Sequence, residues 1–329
     1  MQKTKSLLAA LSLALLGAPA FANDTSVTLG AGGLEIARTD AIEMKSEDLF
    51  ISMERVAVRY VFRNRTSADV KTLVAFPLPD LKSTWQESPI DIPVPDSPNF
   101  VGFKTKVDGA DIPLQVENKA IFKGQDRTAD LAALGAPLNP LAPNFSDQIA
   151  RLPPASIAKL KSDGFIEQDS IDRGKGEEPW YRPAWDLKTK FYREQIFPAG
   201  KDVVVEHEYQ PVVGGTVAII LNSPFVGKEE RSRYLREYCA GSKFRKAAKR
   251  FPETSQERWL TYILKTGANW AGPIADFKLT VDKGSPNNLV SFCGTGVTKI
   301  SPTRFEMRAK NFTPKQELNV VFAIANTEQ

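Results

Sequence analysis

The chain is poor in the residues that most often carry chemistry. Among its 329 residues there is one histidine, His207, and there are two cysteines, Cys239 and Cys293. A zinc site draws about four ligands from His, Cys and carboxylates, so a multi-histidine site is excluded, and two distant cysteines do not replace one. The glycines at Gly30, Gly32 and Gly33, and at Gly174 and Gly176, fit neither a P-loop nor a dinucleotide fingerprint. No G-x-S-x-G elbow accompanies His207, which weakens a hydrolytic triad. No cofactor and no metal are expected from this inventory.

Long apolar runs are also scarce. The longest is the first, residues 7–16, behind Lys3 and Lys5 and ahead of the small residues around Ala20 and Ala22. A run of about ten residues is too short to span a bilayer, which takes roughly 20, and the pattern is that of a signal peptide cleaved near Ala22. The mature chain is then expected to start near Asn23, to be exported to the periplasm and to carry no transmembrane span. Cleavage removes two lysines from the 43 basic residues, leaving 41 against 39 acids and a net charge of +2. A nucleic-acid binder would show a stronger basic bias, so no nucleic-acid partner is expected.

What the chain does have is β pattern. Val56, Val58, Tyr60 and Phe62 alternate with polar residues, a period of two that marks a half-buried strand. After a polar turn, residues 71–76 return as a strand that stops at Pro77 and Pro79, which cannot donate to a ladder. Residues 191–213 repeat the design around a Pro-Ala-Gly turn at 198–200, and residues 304–324 repeat it again. Asp108 and Gly109 between alternating runs predict a hairpin.

Helical texture fills the gaps. Residues 125–165 read as short helices broken by prolines, one opened by Pro153 and Pro154 and ended before Gly164. Residues 170–183 read as a loop and 217–221 as a short strand. Residues 228–250 read as helical, and a capping box at Thr254–Glu257 predicts a helix over 258–265. The expected fold is mainly β: two antiparallel β-sandwich domains, residues 23–213 and 214–329. Their helical inserts fall near 120–190 and 228–265.

Three sites can be weighed. Cys239 and Cys293 in an oxidising compartment predict one disulfide, closing a loop of about 54 residues worth roughly 4 kcal/mol in the chain-entropy model. Residues 228–250 hold nine basic against three acidic residues, so the rest of the mature chain is net acidic. Arg231, Arg233, Arg236, Lys243, Arg245, Lys246, Lys249 and Arg250 are therefore a candidate patch for an anionic partner, an acidic protein or an envelope component. Its bland alternative is a solvated helix face. Trp180, Tyr181 and Trp185 form a candidate aromatic loop. Beside them Glu177 and Glu178 suggest a glycosidase-like pair, against the plainer reading of an acidic turn. His207 shares its face with Val203, Val205 and Tyr209, so a packed structural role is expected of it.

Several stretches resemble bacterial exported proteins of the domain of unknown function 4424 family. They are FPLP at residues 76–79, KGQDRT at 123–128, FPAG and VVVEHEYQPVVG within 197–214, and NWAGPIADFKLTVDKGSPNNLVSFCG at 269–294. The resemblance covers nearly the whole mature chain and implies a bacterial, Gram-negative periplasmic protein with no assigned activity or catalytic residues. The N-terminal half is also similar to vault/inter-alpha-trypsin type β-sandwich domains, in its alternating strand, asparagine turn and FPLP and in the later FPAG and VVVEHEY. The helix motif that joins those parts is not clearly present in residues 120–165. That likeness implies an interaction module. The leading expectation is thus a periplasmic, non-catalytic binding module, with an envelope hydrolase using Glu177, Glu178 or His207 as the alternative.

Overall fold

A computed structural model describes residues 23–325, apart from 31–32, 175 and 253–254. The expected leader and Thr254 of the expected capping box lie outside the described residues. The protein is mainly β, with antiparallel and mixed sheets and short helices. The largest sheet has eight strands, with Ile274–Asp282, Ile42–Ile51, Val56–Asn64 and Asp202–Tyr209 side by side at its centre. A six-stranded sheet is centred on Gln115–Phe122, Asp186–Phe197 and Val70–Pro77, and a five-stranded sheet on Leu318–Ile324 and Gln256–Tyr262.

The inner faces of all three sheets meet in one core. From the large sheet come Val58, Tyr60, Phe62 and Leu279; from the six-stranded sheet Phe76, Phe191 and Phe197; from the five-stranded sheet Leu260, Tyr262, Val320 and Phe322. Aromatic edges join them, with Phe62 against Phe197 at 5.8 Å and Phe76 against Tyr262 at 6.2 Å between ring centroids. Burial of such side chains is the main favourable term in folding.

The three repeated strand-turn-strand units share a property that periodicity alone does not reveal. In each, the first strand belongs to the large sheet or the six-stranded sheet and the second to a different sheet. Val56–Asn64 lies in the large sheet and Val70–Pro77 in the six-stranded one. Asp186–Phe197 lies in the six-stranded sheet and Asp202–Tyr209 in the large one. Arg304–Phe312 lies in the large sheet and Leu318–Ile324 in the five-stranded one. Each turn therefore carries the chain from one layer to the other, and each unit packs its own two apolar faces together.

The halves on either side of residue 213 do not pack separately. Ile274–Asp282 pairs in parallel with Ile42–Ile51 in one sheet, and the core draws on residues from Ile42 to Phe322. Ile42–Ile51 shows no unbroken alternation along its sequence. Its inward residues are Ile42 and Met44, then Glu47, Leu49 and Ile51, because a bulge between Met44 and Ser46 breaks the period of two. The bulge has a chemical consequence: it turns Glu47 into the core.

Other expectations need correction. The segment expected as a helix over 258–265 is the strand Gln256–Tyr262, held between Val213–Thr216 and Leu318–Ile324. Its run of Trp, Leu, Thr and Tyr suits a pleated surface flanked on both sides. Trp259 lies over Gly214, where an added Cβ would come within 2.1 Å of the indole, so this position in the neighbouring strand needs glycine. That strand is Val213–Thr216 rather than 217–221, where the chain turns. Residues 170–183 are not a loop but most of a hairpin, Ile166–Asp172 with Glu177–Pro183. The helices Thr128–Ala133, Phe145–Ala150 and Pro154–Ser162 fall where expected. So does the hairpin at Asp108 and Gly109, both with positive φ.

Candidate functional site

The basic segment folds as two short helices, Lys228–Glu237 and Ser242–Ala248, laid over the outer face of the five-stranded sheet. Tyr234, Ala240 and Ala248 point down onto Val321 and Ala323, with Ile219 and Leu221 closing the side. The chain reverses between the helices at Cys239, whose φ is +49°. There the disulfide Cys239–Cys293 ties the reversal to the end of the strand Leu289–Phe292. This is the bridge the cysteine count predicts. Below the first helix the Tyr234 hydroxyl donates to Glu257 Oε1 at 2.9 Å, and the Ile220 amide donates to the same oxygen at 3.1 Å. Burial pushes the Glu257 carboxyl up to about 7, against the pull of those two hydrogen bonds.

The eight basic candidates divide. Arg231 is half-buried and spends its guanidinium on the carbonyls of Leu221, Ser223 and Val226, where it fixes the turn before the helix. The other seven are exposed, and among the described residues none forms an ion pair. In the first helix Arg233 and Arg236 share their surface with Glu229, Glu230 and Glu237. The second helix and the residues after it carry Lys243, Arg245, Lys246, Lys249 and Arg250 with no acidic residue among them. The unneutralised charge is therefore narrower than the sequence suggests, five cations in eight residues.

The aromatic candidates are not brought together on a surface. Trp185 is wholly buried, donates its indole N–H to the Leu138 carbonyl at 2.9 Å, and packs on Phe145. Tyr181 is buried in the same small core. Trp180 is half-buried under the Arg173 guanidinium, 5.1 Å from its ring centroid. Trp180 and Tyr181 border a shallow cleft of about 270 Å³ shared with Trp85, and Trp185 does not reach it. Glu177 and Glu178 are consecutive on one strand, so their side chains leave opposite faces and cannot converge on one substrate bond.

His207 lies inside, as expected, and anchors a polar cluster that sequence reading missed. Its Nδ1 is 2.8 Å from the Thr105 hydroxyl, and its Nε2 is 2.9 Å from Asp24 Oδ1, close but without hydrogen-bond alignment. A carboxylate only accepts, so Nε2 carries the proton and Nδ1 accepts from Thr105. Arg193 reaches the other Asp24 oxygen at 3.4 Å. Burial lowers the His207 pKa despite the Asp24 charge. Asp24 is penalised by the same burial, yet His207 and Arg193 hold it below the usual carboxylate range. Beside this trio, Asn23 donates to Glu47 Oε2 at 3.1 Å and accepts from the Tyr60 hydroxyl, which lies 3.0 Å from the Tyr262 hydroxyl. The Trp270 indole donates to the Asp24 carbonyl at 2.7 Å. Only Tyr60, Tyr262 and His207 carried a signal, their place in alternating or aromatic runs. Asp24 and Glu47 read as ordinary charged residues.

An open cleft of about 1100 Å³ runs from the outer side of the large sheet, where Arg55, Arg59, Lys104 and Lys106 face Glu206 and Glu208, to Leu114, Val116 and Phe191. Its charges are largely matched: Arg55 meets Glu208 at 3.1 Å and Arg59 meets Glu206 at 3.7 Å.

The family model for the domain of unknown function DUF4424 matches residues 22–321. The chain belongs to that family. No curated protein matches it. Among solved structures it is similar to a Legionella pneumophila protein provisionally described as nutrient binding, at 14% identity and a TM-score of 0.45. The match covers 92% of this chain and 70% of that one. At that distance the likeness carries no argument about this DUF4424 member, whose surface must be read on its own terms.

Proposed function

We propose that this DUF4424 protein is an exported, periplasmic, non-catalytic binding module that docks an anionic protein or envelope component through residues 243–250. One observation carries the reading: five exposed cations stand together with no acidic partner among the described residues, on a helix layer anchored by a disulfide and an apolar underside. Unpaired like charges repel one another and are tolerated when a partner supplies the counter-charge. The rival envelope hydrolase lacks a converged pair, since Glu177 and Glu178 diverge and His207 is sealed in the core.

The test is a pull-down from envelope extract with the mature protein and with a variant carrying glutamate at 243, 245, 246, 249 and 250. A partner held at low salt, released at high salt and lost from the variant is the expected result, because exposed charge contacts weaken as salt screens them. A partner retained equally by both proteins, or none at all, overturns the reading. Release of the protein by osmotic shock checks the compartment.

A further inference from the structure

Among the described residues the buried polar cluster holds more acidic than cationic groups. It contains two carboxylates, Asp24 and Glu47, and one guanidinium, Arg193, which faces Asp24; His207 is neutral there. Tyr60 and Tyr262, the remaining titratable groups against it, are held protonated by burial. Glu47 is thus a buried carboxyl group that faces no cation among the described residues. One of its oxygens takes the Asn23 amide and the other, Oε1, has no hydrogen-bond partner. Its pKa is pushed up to about 8 by burial, against the Asn23 hydrogen bond, with the Asp24 charge adding to the rise. An unpaired buried acid is costly, and here the chain goes out of its way to create one, through the bulge that turns Glu47 inward.

Asn23, whose side-chain amide donates to the other oxygen of that carboxyl, is itself fully buried. It is also the first residue after the expected cleavage motif ending at Ala22. Its seat is shaped to it, since a Cβ on Gly267 would come within 2.7 Å of the Asn23 amide nitrogen. We propose that the α-amino group released by cleavage between Ala22 and Asn23 is the missing cation, seated against Glu47 in the core. The leader-cleaving peptidase adds water across the Ala22–Asn23 bond: the hydroxyl goes to the Ala22 carbonyl carbon and a proton to the Asn23 nitrogen. At neutral pH the new carboxylic acid of Ala22 gives up a proton and the new amine takes one. The ammonium then neutralises Glu47, and processing becomes a step that completes the fold rather than merely trimming it. This inference rests on cleavage at Ala22 and is independent of the basic helix face.

The experiment uses the exported mature chain. Intact mass first fixes its terminus, expected at Asn23. Four proteins are then released from a fusion by a site-specific protease: the chain beginning at Asn23, the same chain with one glycine before it, and each with Glu47→Gln. The added glycine and the substitution should each lower Tm by about 3 °C, a shift of roughly 2 kcal/mol for a chain this size. Together they should do no more than either alone, because both remove the same pair. Additive losses, or a glycine extension without effect, overturn the proposal, as does a mature terminus elsewhere. Should the variants fail to fold, the native chain still decides. Its α-amine should be acylated at neutral pH at least tenfold more slowly when folded than when unfolded, and equal rates sink the idea.

Discussion

The outer face of the large sheet and the outer face of the helix pair are both rich in arginine and lysine, yet they use them differently. On the sheet, basic residues stand opposite acidic ones on neighbouring strands, Arg59 and Glu206, Arg63 and Asp202, Lys278 and Asp48, and Arg55 at the end of the turn before Val56–Asn64 meets Glu208. On the helix pair, Lys243, Arg245, Lys246, Lys249 and Arg250 have no such partners among the described residues. Cross-strand pairing comes with the ladder, since register sets which residues stand opposite. A short helix whose inner face is committed to the sheet below has no facing strand to supply acids. Both surfaces carry basic residues, but on the helix pair the five cations after Gly241 meet no counter-charge among the described residues.

The largest expected effect tests how the unpaired face is held. The sheet face is part of a hydrogen-bonded ladder, whereas the helix layer rests on apolar contacts and the Cys239–Cys293 bridge. Replacing both cysteines by serine should lower stability by about 4 kcal/mol for a 54-residue separation, read as an earlier urea midpoint in periplasm-made protein. A midpoint equal to that of the native chain would mean that the helix layer is anchored without the bridge.

A second test concerns the buried acid beneath that layer. Glu257 titrates near 7 in the folded protein against 4.5 for an ordinary glutamate, through burial that outweighs the Tyr234 and Ile220 hydrogen bonds. A carboxyl raised on folding contributes stability that is complete below the unfolded pKa and is lost as pH rises through the folded one. Wild-type protein should therefore lose on the order of 3 kcal/mol relative to Glu257→Gln between pH 4.5 and 7.5. Urea unfolding of the two proteins across that range gives the difference directly, and parallel curves would show that Glu257 is not held protonated.

Much of this architecture was legible because apolar alternation is a local signal. The strands at Val56–Asn64, Asp202–Tyr209 and Leu318–Ile324, the hairpin at Asp108 and Gly109, and the proline-opened helix ending at Gly164 all follow from neighbouring residues. The misreadings share a cause in tertiary context. Residues 258–265 read as a helix because Thr254 and Glu257 fit a capping box ahead of them, and only the two flanking strands make Gln256–Tyr262 a sheet element. Ile42–Ile51 was missed because one bulged residue breaks its period. The crossing of each strand-turn-strand unit between sheets leaves no trace in periodicity at all. For the candidate site, composition located the basic segment. It could not separate Arg231, consumed by backbone carbonyls, from the five free cations that follow Gly241. Nor could it show that Trp185 is core, since a buried tryptophan with a satisfied N–H and an exposed one are spelled alike.

The smallest expected effect bears on the paired face itself. Arg59 and Glu206 lie 3.7 Å apart with about half of each side chain exposed, the setting in which an ion pair gains little over its hydration and pays side-chain entropy. A double-mutant cycle with Arg59→Ala and Glu206→Ala should return a coupling of about 0.5 kcal/mol or less, shrinking further at high salt. The value matters for what the sheet face is for. A coupling near zero means that these charges keep an exposed sheet soluble and matched, and that breaking them would free a surface without unfolding it. A coupling well above 1 kcal/mol would mean that the cleft bordered by Arg55, Arg59, Glu206 and Glu208 is a rigid charged network. The contrast with the helix face would then lie in preorganisation as well as in net charge.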